Sequence, residues 1–228
     1  MTRLLNVGSW SVALLVGLAA LGCTPGGVGD PCTPEDEYQQ DFGGFQVTET
    51  NVESRSFQCE TRLCLVNHFQ GRVSCRLGQS AGEGAPYDLS QGEEAPPRGN
   101  APENPNWSPK CSIPGTAVDR TDRQSPNNIR VQVPAQLQNR QAEKAVYCSC
   151  RCDGPEKNAR YCECPDGFQC EELVDNLKIP GGAQLAGSYC VRSGSQWNPN
   201  VNDPRDCKDN PSACGCTGNP YPSECGAN

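Results

Sequence analysis

The sequence has few of the residues that build a large apolar core. Leu, Ile, Val and Phe together make up 37 of its 228 residues, about 16%. A chain with less than roughly 20% of these residues and an unbalanced charge is typically disordered unless another interaction holds it together. This composition excludes a large enzyme domain with an apolar core, and it excludes a multispanning membrane protein.

Residue types that carry catalysis are also scarce. The chain contains a single histidine, His68, and no Gly-x-Ser-x-Gly motif. No pair of carboxylates stands in a catalytic context, and no free thiol is expected, so neither a base nor a nucleophile can be assigned. We predict that the protein is not an enzyme and has no catalytic residue. We expect His68 to be a solvated imidazole at the tip of a loop.

Basic residues neither dominate nor cluster. The chain has 19 Lys and Arg against 27 Asp and Glu, which gives a formal net charge of −8. Such a surface disfavours phosphate-rich polymers and anionic lipid headgroups. We therefore predict no nucleic-acid partner.

Cysteine, in contrast, is abundant, with 17 residues. Zinc ribbons, redox sites and attached haem use Cys-x-x-Cys, and this spacing does not occur in the chain. Cys-x-Cys does occur, so a thiolate metal cluster is the alternative to disulfide bonding. An export signal, described next, and the lack of a histidine partner favour disulfides. We predict no metal and no cofactor.

The N-terminus has the parts of a secretory signal. Arg3 precedes an uncharged apolar run at residues 12–21, which is too short to span a bilayer comfortably. The run ends in Ala-Leu-Gly-Cys at residues 20–23, which resembles the lipobox of bacterial lipoproteins. The resemblance implies cleavage of residues 1–22 and acylation of Cys23 by diacylglyceryl and fatty acyl groups such as palmitate. Because Thr24 and not Asp follows, it also implies the outer membrane, on its periplasmic or surface face, with residues 23–30 as a lipidated tether.

Lipidation of Cys23 leaves an even number of cysteines. In an oxidising compartment these sixteen are expected to form disulfides, whose connectivity the sequence leaves open. They fall into groups of four, eight and four, so bonding within groups is one hypothesis. The disulfide candidates are Cys32, Cys59, Cys64, Cys75, Cys111, Cys148, Cys150, Cys152, Cys162, Cys164, Cys170, Cys190, Cys207, Cys214, Cys216 and Cys225.

The predicted fold class is small, disulfide-rich, and mainly β and irregular, with short hairpin modules joined by Pro/Gly-rich linkers. Four segments follow the tether: a first Cys-rich module at 31–80, a low-complexity or irregular linker at 81–144, a dense Cys-rich hairpin module at 145–192, and a four-Cys segment at 193–228.

Apolar alternation places short strands in the first module. Residues 45–50 alternate as a half-buried strand does, and residues 62–66 and 71–75 are predicted to form a hairpin whose loop is 67–71. The acidic residues 34–37 are expected on a solvated surface.

The dense module is predicted to contain two antiparallel strands lined with sulfur. Cys148, Cys150 and Cys152 would share one face of a strand, and residues 161–164 would form its neighbour. Cys170 and Cys190, the latter in a strand-like segment at 189–191, are candidate partners for these cysteines.

Two further segments have apolar patterns. Residues 129–133 alternate and are predicted to form a strand, and Leu173, Val174 and Leu177 are predicted to form one apolar turn that covers the hairpin.

Short fragments resemble known modules. Residues 162–168, Cys-Glu-Cys-Pro-Asp-Gly-Phe, resemble part of an epidermal-growth-factor-like module, and residues 214–225 are similar to the centre of a Kazal-type protease inhibitor. The lipobox and Gly-Asp-Pro-Cys at 29–32 resemble those of secreted, cysteine-rich lipoproteins of the myxobacterial type, a resemblance that implies no particular activity.

These observations predict a lipid-anchored, disulfide-stabilised protein of the cell envelope or surface. Its role would be structural, or an interaction with an envelope protein or glycan. The alternative is an envelope protease inhibitor that acts through residues 207–225.

Overall fold

The computed structural model describes residues 26–79, 109–122, 124–174, 186–198, 205–218 and 222–226. Cys23, the predicted signal peptide, Leu177, and residues 81–108 and 123 of the predicted linker lie outside these residues. The predicted fold class is confirmed, because the described chain consists of two small β-sheets, little helix and eight disulfides. No helix in these ranges is long and apolar enough to cross a membrane.

The first sheet is antiparallel, with β1 (Thr50–Glu53), β2 (Leu63–Asn67) and β3 (Val146–Ser149) in that order. Its central strand is buried on both faces, which explains why residues 63–66 read as a continuous apolar run. Because β3 pairs with β2, this sheet joins the predicted first module to the dense module.

The second sheet holds β4 (Arg151–Asp153), β5 (Phe168–Val174) and β6 (Gly187–Arg192) in the order β4-β6-β5, again antiparallel. The chain passes from β3 to β4 through Cys150, whose carbonyl accepts a hydrogen bond of 3.0 Å from Cys190 N–H. The short helix α1 (Ala142–Ala145) precedes β3 and buries both its alanines.

The core is divided into three small apolar clusters. Side chains of β2 and β3 alternate between two of them, since Val66 and Val146 pack with Phe45 and Phe69, whereas Leu65 and Tyr147 pack with Val191. The third cluster contains Ile129, Val131 and Val133. Six half-cystines belong to these clusters, so sulfur occupies positions that aliphatic side chains fill in larger cores.

The eight disulfides pair all sixteen predicted cysteines. They are Cys32–Cys64, Cys59–Cys148, Cys75–Cys111, Cys150–Cys162, Cys152–Cys170, Cys164–Cys190, Cys207–Cys214 and Cys216–Cys225. The prediction that Cys170 and Cys190 bond to cysteines of the two Cys-x-Cys segments is confirmed, because Cys170 pairs with Cys152 and Cys190 pairs with Cys164. The hypothesis of bonding within groups is wrong for Cys59–Cys148 and Cys75–Cys111, because the β2–β3 pairing and the third cluster bring distant segments together.

Several predicted strands differ from the observed ones. The strand predicted at 45–50 is wrong, because residues 45–49 form no strand and β1 begins only at Thr50. Residues 71–75, all described, form no strand, so the predicted hairpin is wrong. Gly71 instead exchanges backbone hydrogen bonds of 2.9 and 3.0 Å with Phe45, at a φ of +85°, and a Cβ there would lie 2.3 Å from the Pro134 carbonyl oxygen.

The dense module also differs from its prediction. Residues 161–164 form no strand, and β4 pairs with β6, which contains the predicted 189–191 strand. Leu173 and Val174 lie in β5 and not in an apolar turn, because their segment pairs with β6. Residues 129–133 form no regular strand, but their alternation is real: Ile129, Val131 and Val133 are buried and the residues between them are not fully buried.

The acidic segment at 34–37 is not simply a solvated surface. Its last residue, Glu37, is fully buried and forms an ion pair with the buried Arg72, whose Nε lies 3.5 Å from the carboxylate. The carboxylate also accepts hydrogen bonds from Val73 N–H at 2.8 Å and from Ser74 Oγ at 2.7 Å. A buried carboxylate is tolerated when it is paired and hydrogen-bonded in this way.

His68 is likewise not a freely solvated imidazole. It has a φ of +50°, its Nδ1 lies 3.0 Å from the Val47 carbonyl oxygen, and its ring stacks on Trp197 with centroids 5.4 Å apart. Partial burial lowers the pKa of His68, and the positive charge of Arg140 lowers it further. The histidine therefore has a packing role between the 67–71 loop and residue 197.

Candidate functional site

The described surface contains a cleft of about 600 Å³ beside the edge strand β1. We call it the Phe57 cleft. Its lining residues are Thr33, Glu35, Tyr38, Glu53, Ser54, Arg55, Ser56, Phe57, Gln58 and Arg62.

Two disulfides hold the walls of the Phe57 cleft. Cys32–Cys64 joins the residue before Thr33 to β2, and Cys59–Cys148 joins the residue after Gln58 to β3. Between them, the Gln58 amide bridges to the backbone of Thr33, donating to its carbonyl at 2.8 Å and accepting from its N–H at 3.0 Å. A cleft held in this way loses little freedom when a partner binds.

Aromatic exposure is concentrated at this one place. The two large hydrophobic side chains that stand out as exposed in the described chain are Phe57, at 81%, and Tyr38, at 51%, and both line the cleft. Because large exposed apolar groups gathered in one patch mark interaction sites, this clustering distinguishes the cleft from the rest of the described surface.

The backbone positions a cation over the Phe57 ring. Arg62 has a φ of +63°, which is uncommon for a residue with a side chain. Its N–H donates to the Cys59 carbonyl at 3.0 Å, and its carbonyl accepts from Ser56 N–H at 3.1 Å. This turn places the Arg62 guanidinium 4.6 Å from the centre of the Phe57 ring, within cation–π range.

Acidic groups also line the cleft. A Glu53 carboxylate oxygen accepts a hydrogen bond of 3.0 Å from Glu35 N–H, at the start of the 3₁₀ turn Glu35–Tyr38. Partial burial raises the pKa of Glu53, and the negative charges of Glu35 and Asp36 raise it further. The cleft therefore combines carboxylates with the guanidinium groups of Arg55 and Arg62, two formal charges of each sign in its lining.

Ser56 contributes an unpaired hydroxyl. Its Oγ is buried and has no hydrogen-bond partner among the residues that the structure describes. An unpaired buried hydroxyl costs about 1–3 kcal/mol, so this position is not optimised for stability alone.

The described chain starts beside the cleft. Gly26 N–H donates to the Gln58 carbonyl at 2.7 Å, and the Gly26 carbonyl accepts from Glu60 N–H at 2.9 Å. Gly26 follows the predicted lipid attachment residue, Cys23, by three positions. Three residues span at most about 11 Å, so the chain length places Cys23 within that distance of Gly26.

The sixteen predicted disulfide residues are brought together in pairs, as given above, and four of them hold the walls of the Phe57 cleft. The residues that give the cleft its chemistry, Phe57, Tyr38, Arg62 and Glu53, were not predicted. They lie in a segment without apolar periodicity, and their one sequence signal is an aromatic residue in a polar loop.

Cysteine sulfurs also gather into three triads, each within 4.8 Å: Cys32, Cys59 and Cys148; Cys150, Cys162 and Cys190; and Cys152, Cys164 and Cys170. Every one of these sulfurs is in a disulfide. Since the thiolate is the form that ligates a metal, the triads reflect packed disulfides in the oxidised protein.

The 207–225 segment consists of two local loops closed by Cys207–Cys214 and Cys216–Cys225. Its contacts with the rest of the chain include hydrogen bonds from the Arg76 guanidinium to the Cys214 carbonyl at 2.9 Å and from Cys207 N–H to the Gln136 carbonyl at 2.7 Å. The Kazal-like resemblance of this segment remains a prediction.

Comparison of the chain with protein-family models, with curated proteins and with solved structures finds no match in any of the three. Eight disulfides mark an extracytoplasmic, disulfide-stabilised protein.

Proposed function

We propose that this protein is a lipid-anchored component of the bacterial outer membrane, attached through Cys23, that binds another envelope component through the Phe57 cleft. The observation that carries the proposal is the position of the cleft. It gathers the prominent exposed aromatic side chains and adjoins Gly26, three residues after the predicted lipid attachment.

The chemistry of the cleft suits binding. Aromatic rings supply apolar contact area, and the carboxylates and guanidinium groups supply hydrogen-bond acceptors and donors around them. The disulfides on both walls preorganise these groups. An interaction role therefore agrees with the residues of the cleft, and the sequence offers no base or nucleophile that would support catalysis.

Photocrosslinking on intact cells tests the proposal. A photoreactive benzoylphenylalanine replaces Phe57 in the full-length protein, and the same group at Lys157, which is exposed and outside the cleft, is the control. We expect a discrete adduct from position 57, identified by its mass as protein, glycan or lipid, and none from position 157. The same random mixture of neighbours from both positions, or no adduct from position 57, would contradict the proposal.

A further inference from the structure

We infer that the Phe57 cleft docks on a zwitterionic phospholipid surface, with the Phe57 ring inserted at the headgroup level as a second membrane contact beside the lipid on Cys23. This inference rests on the proposed function, because it takes the lipid anchor as given and names the partner of the cleft.

The cleft lies a short length of chain from the predicted lipid attachment residue. Gly26 is hydrogen-bonded to Gln58 and Glu60, so the 57–60 loop lies where the described chain begins. From Gly26 back to Cys23 the chain spans at most about 11 Å. Acyl chains on Cys23 that enter a bilayer therefore hold this loop at its surface.

The cleft exposes aromatic side chains. Phe57 is 81% exposed and Tyr38 is 51% exposed, and both line the cleft. Aromatic side chains are enriched at the membrane–water boundary because a ring enters the apolar edge of the bilayer while polar neighbours stay hydrated. Arg62, stacked over Phe57, can keep its guanidinium among headgroups while its stem follows the ring.

The charges of the cleft select the kind of lipid. The lining contains Arg55 and Arg62 as cations and Glu35 and Glu53 as anions. A headgroup with a phosphate and an ammonium group offers a partner to each. A strongly anionic surface is a poorer match, because the chain carries a formal net charge of −8 and Glu53 lies among other carboxylates.

The measurement uses the full-length lipidated protein, reconstituted in phosphatidylcholine and phosphatidylethanolamine vesicles whose acyl chains carry bromine near the headgroup. Phe57→Trp places a fluorophore in the cleft, and Lys157→Trp is the matched control on a distant exposed loop. We expect bromine to quench the indole introduced at position 57 at least about twofold more than the indole introduced at position 157, above the shared background of the native tryptophans. Equal quenching of the two variants overturns the inference.

A second measurement removes the anchor. Cys23→Ser protein is sedimented with the same vesicles, with and without Phe57→Ser. We expect Phe57→Ser to weaken vesicle partitioning by about tenfold, because a ring inserted at the headgroup level contributes roughly half of the transfer free energy of a fully buried phenylalanine. Lys157→Ser should leave vesicle partitioning unchanged. If Phe57→Ser leaves vesicle partitioning unchanged, the inference is overturned.

Photocrosslinking and bromine quenching together separate the inference from the proposed function. A discrete protein or glycan adduct from position 57, with no excess quenching of the Phe57→Trp variant, supports the proposed function and overturns lipid as the occupant. Absence of any specific adduct together with equal quenching overturns both.

Discussion

The buried ion pair between Glu37 and Arg72 gives the sharpest stability prediction. Both side chains are fully buried, and the Arg72 guanidinium donates to the carbonyl oxygens of Glu37, Gln39 and Phe42. The pair therefore joins the 35–42 segment, which carries one wall of the Phe57 cleft, to residues 72–74. Burial lowers the pKa of Arg72, and the charge of Glu37 opposes that shift.

Glu37→Gln keeps the shape of the side chain and removes its charge. The substitution leaves the Arg72 cation buried without its counter-ion, and it weakens the three hydrogen bonds that the carboxylate accepts from Val73 and Ser74. Removing one partner of a buried pair costs about 3–5 kcal/mol, and the retained amide oxygen places Gln at the lower end, about 3 kcal/mol. For a domain stable by about 5–15 kcal/mol, this loss is easily measured.

The assay is urea unfolding of the oxidised protein, followed by near-ultraviolet circular dichroism. Glu60→Gln, at an exposed carboxylate, is the control and should change the free energy of unfolding by less than about 0.5 kcal/mol. Arg72→Met combined with Glu37→Gln should destabilise less than the sum of the single changes, because the second substitution no longer leaves a buried charge. A Glu37→Gln protein as stable as wild type, or strict additivity, would refute this reasoning.

Three further outcomes are expected. Glu53→Gln should stabilise the protein at pH 7 and not below pH 4. Because the pKa of Glu53 is raised in the folded protein, the stability of the wild type falls as the pH rises from the unfolded-state pKa through the folded-state pKa. Urea unfolding at both pH values measures the difference. Ser56→Ala should leave stability unchanged or raise it by up to about 1 kcal/mol in the same assay, because it removes an unpaired buried hydroxyl, and a clear loss would show that the hydroxyl is paired. Alkylation of the unreduced mature protein should label no cysteine, and peptide mapping should recover a fragment joined by Cys59–Cys148. Several reactive thiols, or bound zinc in stoichiometric amount, would contradict the disulfide assignment.

Local pattern and composition predicted the parts of the fold that depend on neighbouring residues. The scarcity of aliphatic residues and the even number of cysteines after Cys23 led to a disulfide-rich β fold. The alternation at 129–133 predicted a strand that does not form, although Ile129, Val131 and Val133 are buried.

The pairing of distant strands and cysteines could not be predicted from the sequence. Cys59–Cys148 depends on β2 meeting β3 across about 80 residues, and nothing local to either strand specifies that register. Glu37 looked like a surface residue because its partner, Arg72, lies far along the chain. The Phe57 cleft was missed for the same reason, since its walls are brought together by disulfides whose connectivity was open.

The mass of the N-terminal peptide of the purified mature protein tests the central claim most directly, because both the anchor and the membrane-facing position of the Phe57 cleft depend on Cys23. We predict a peptide that begins at Cys23 and carries the mass of a diacylglyceryl group and an amide-linked fatty acid. A peptide that begins elsewhere, or an unmodified Cys23, would contradict the account.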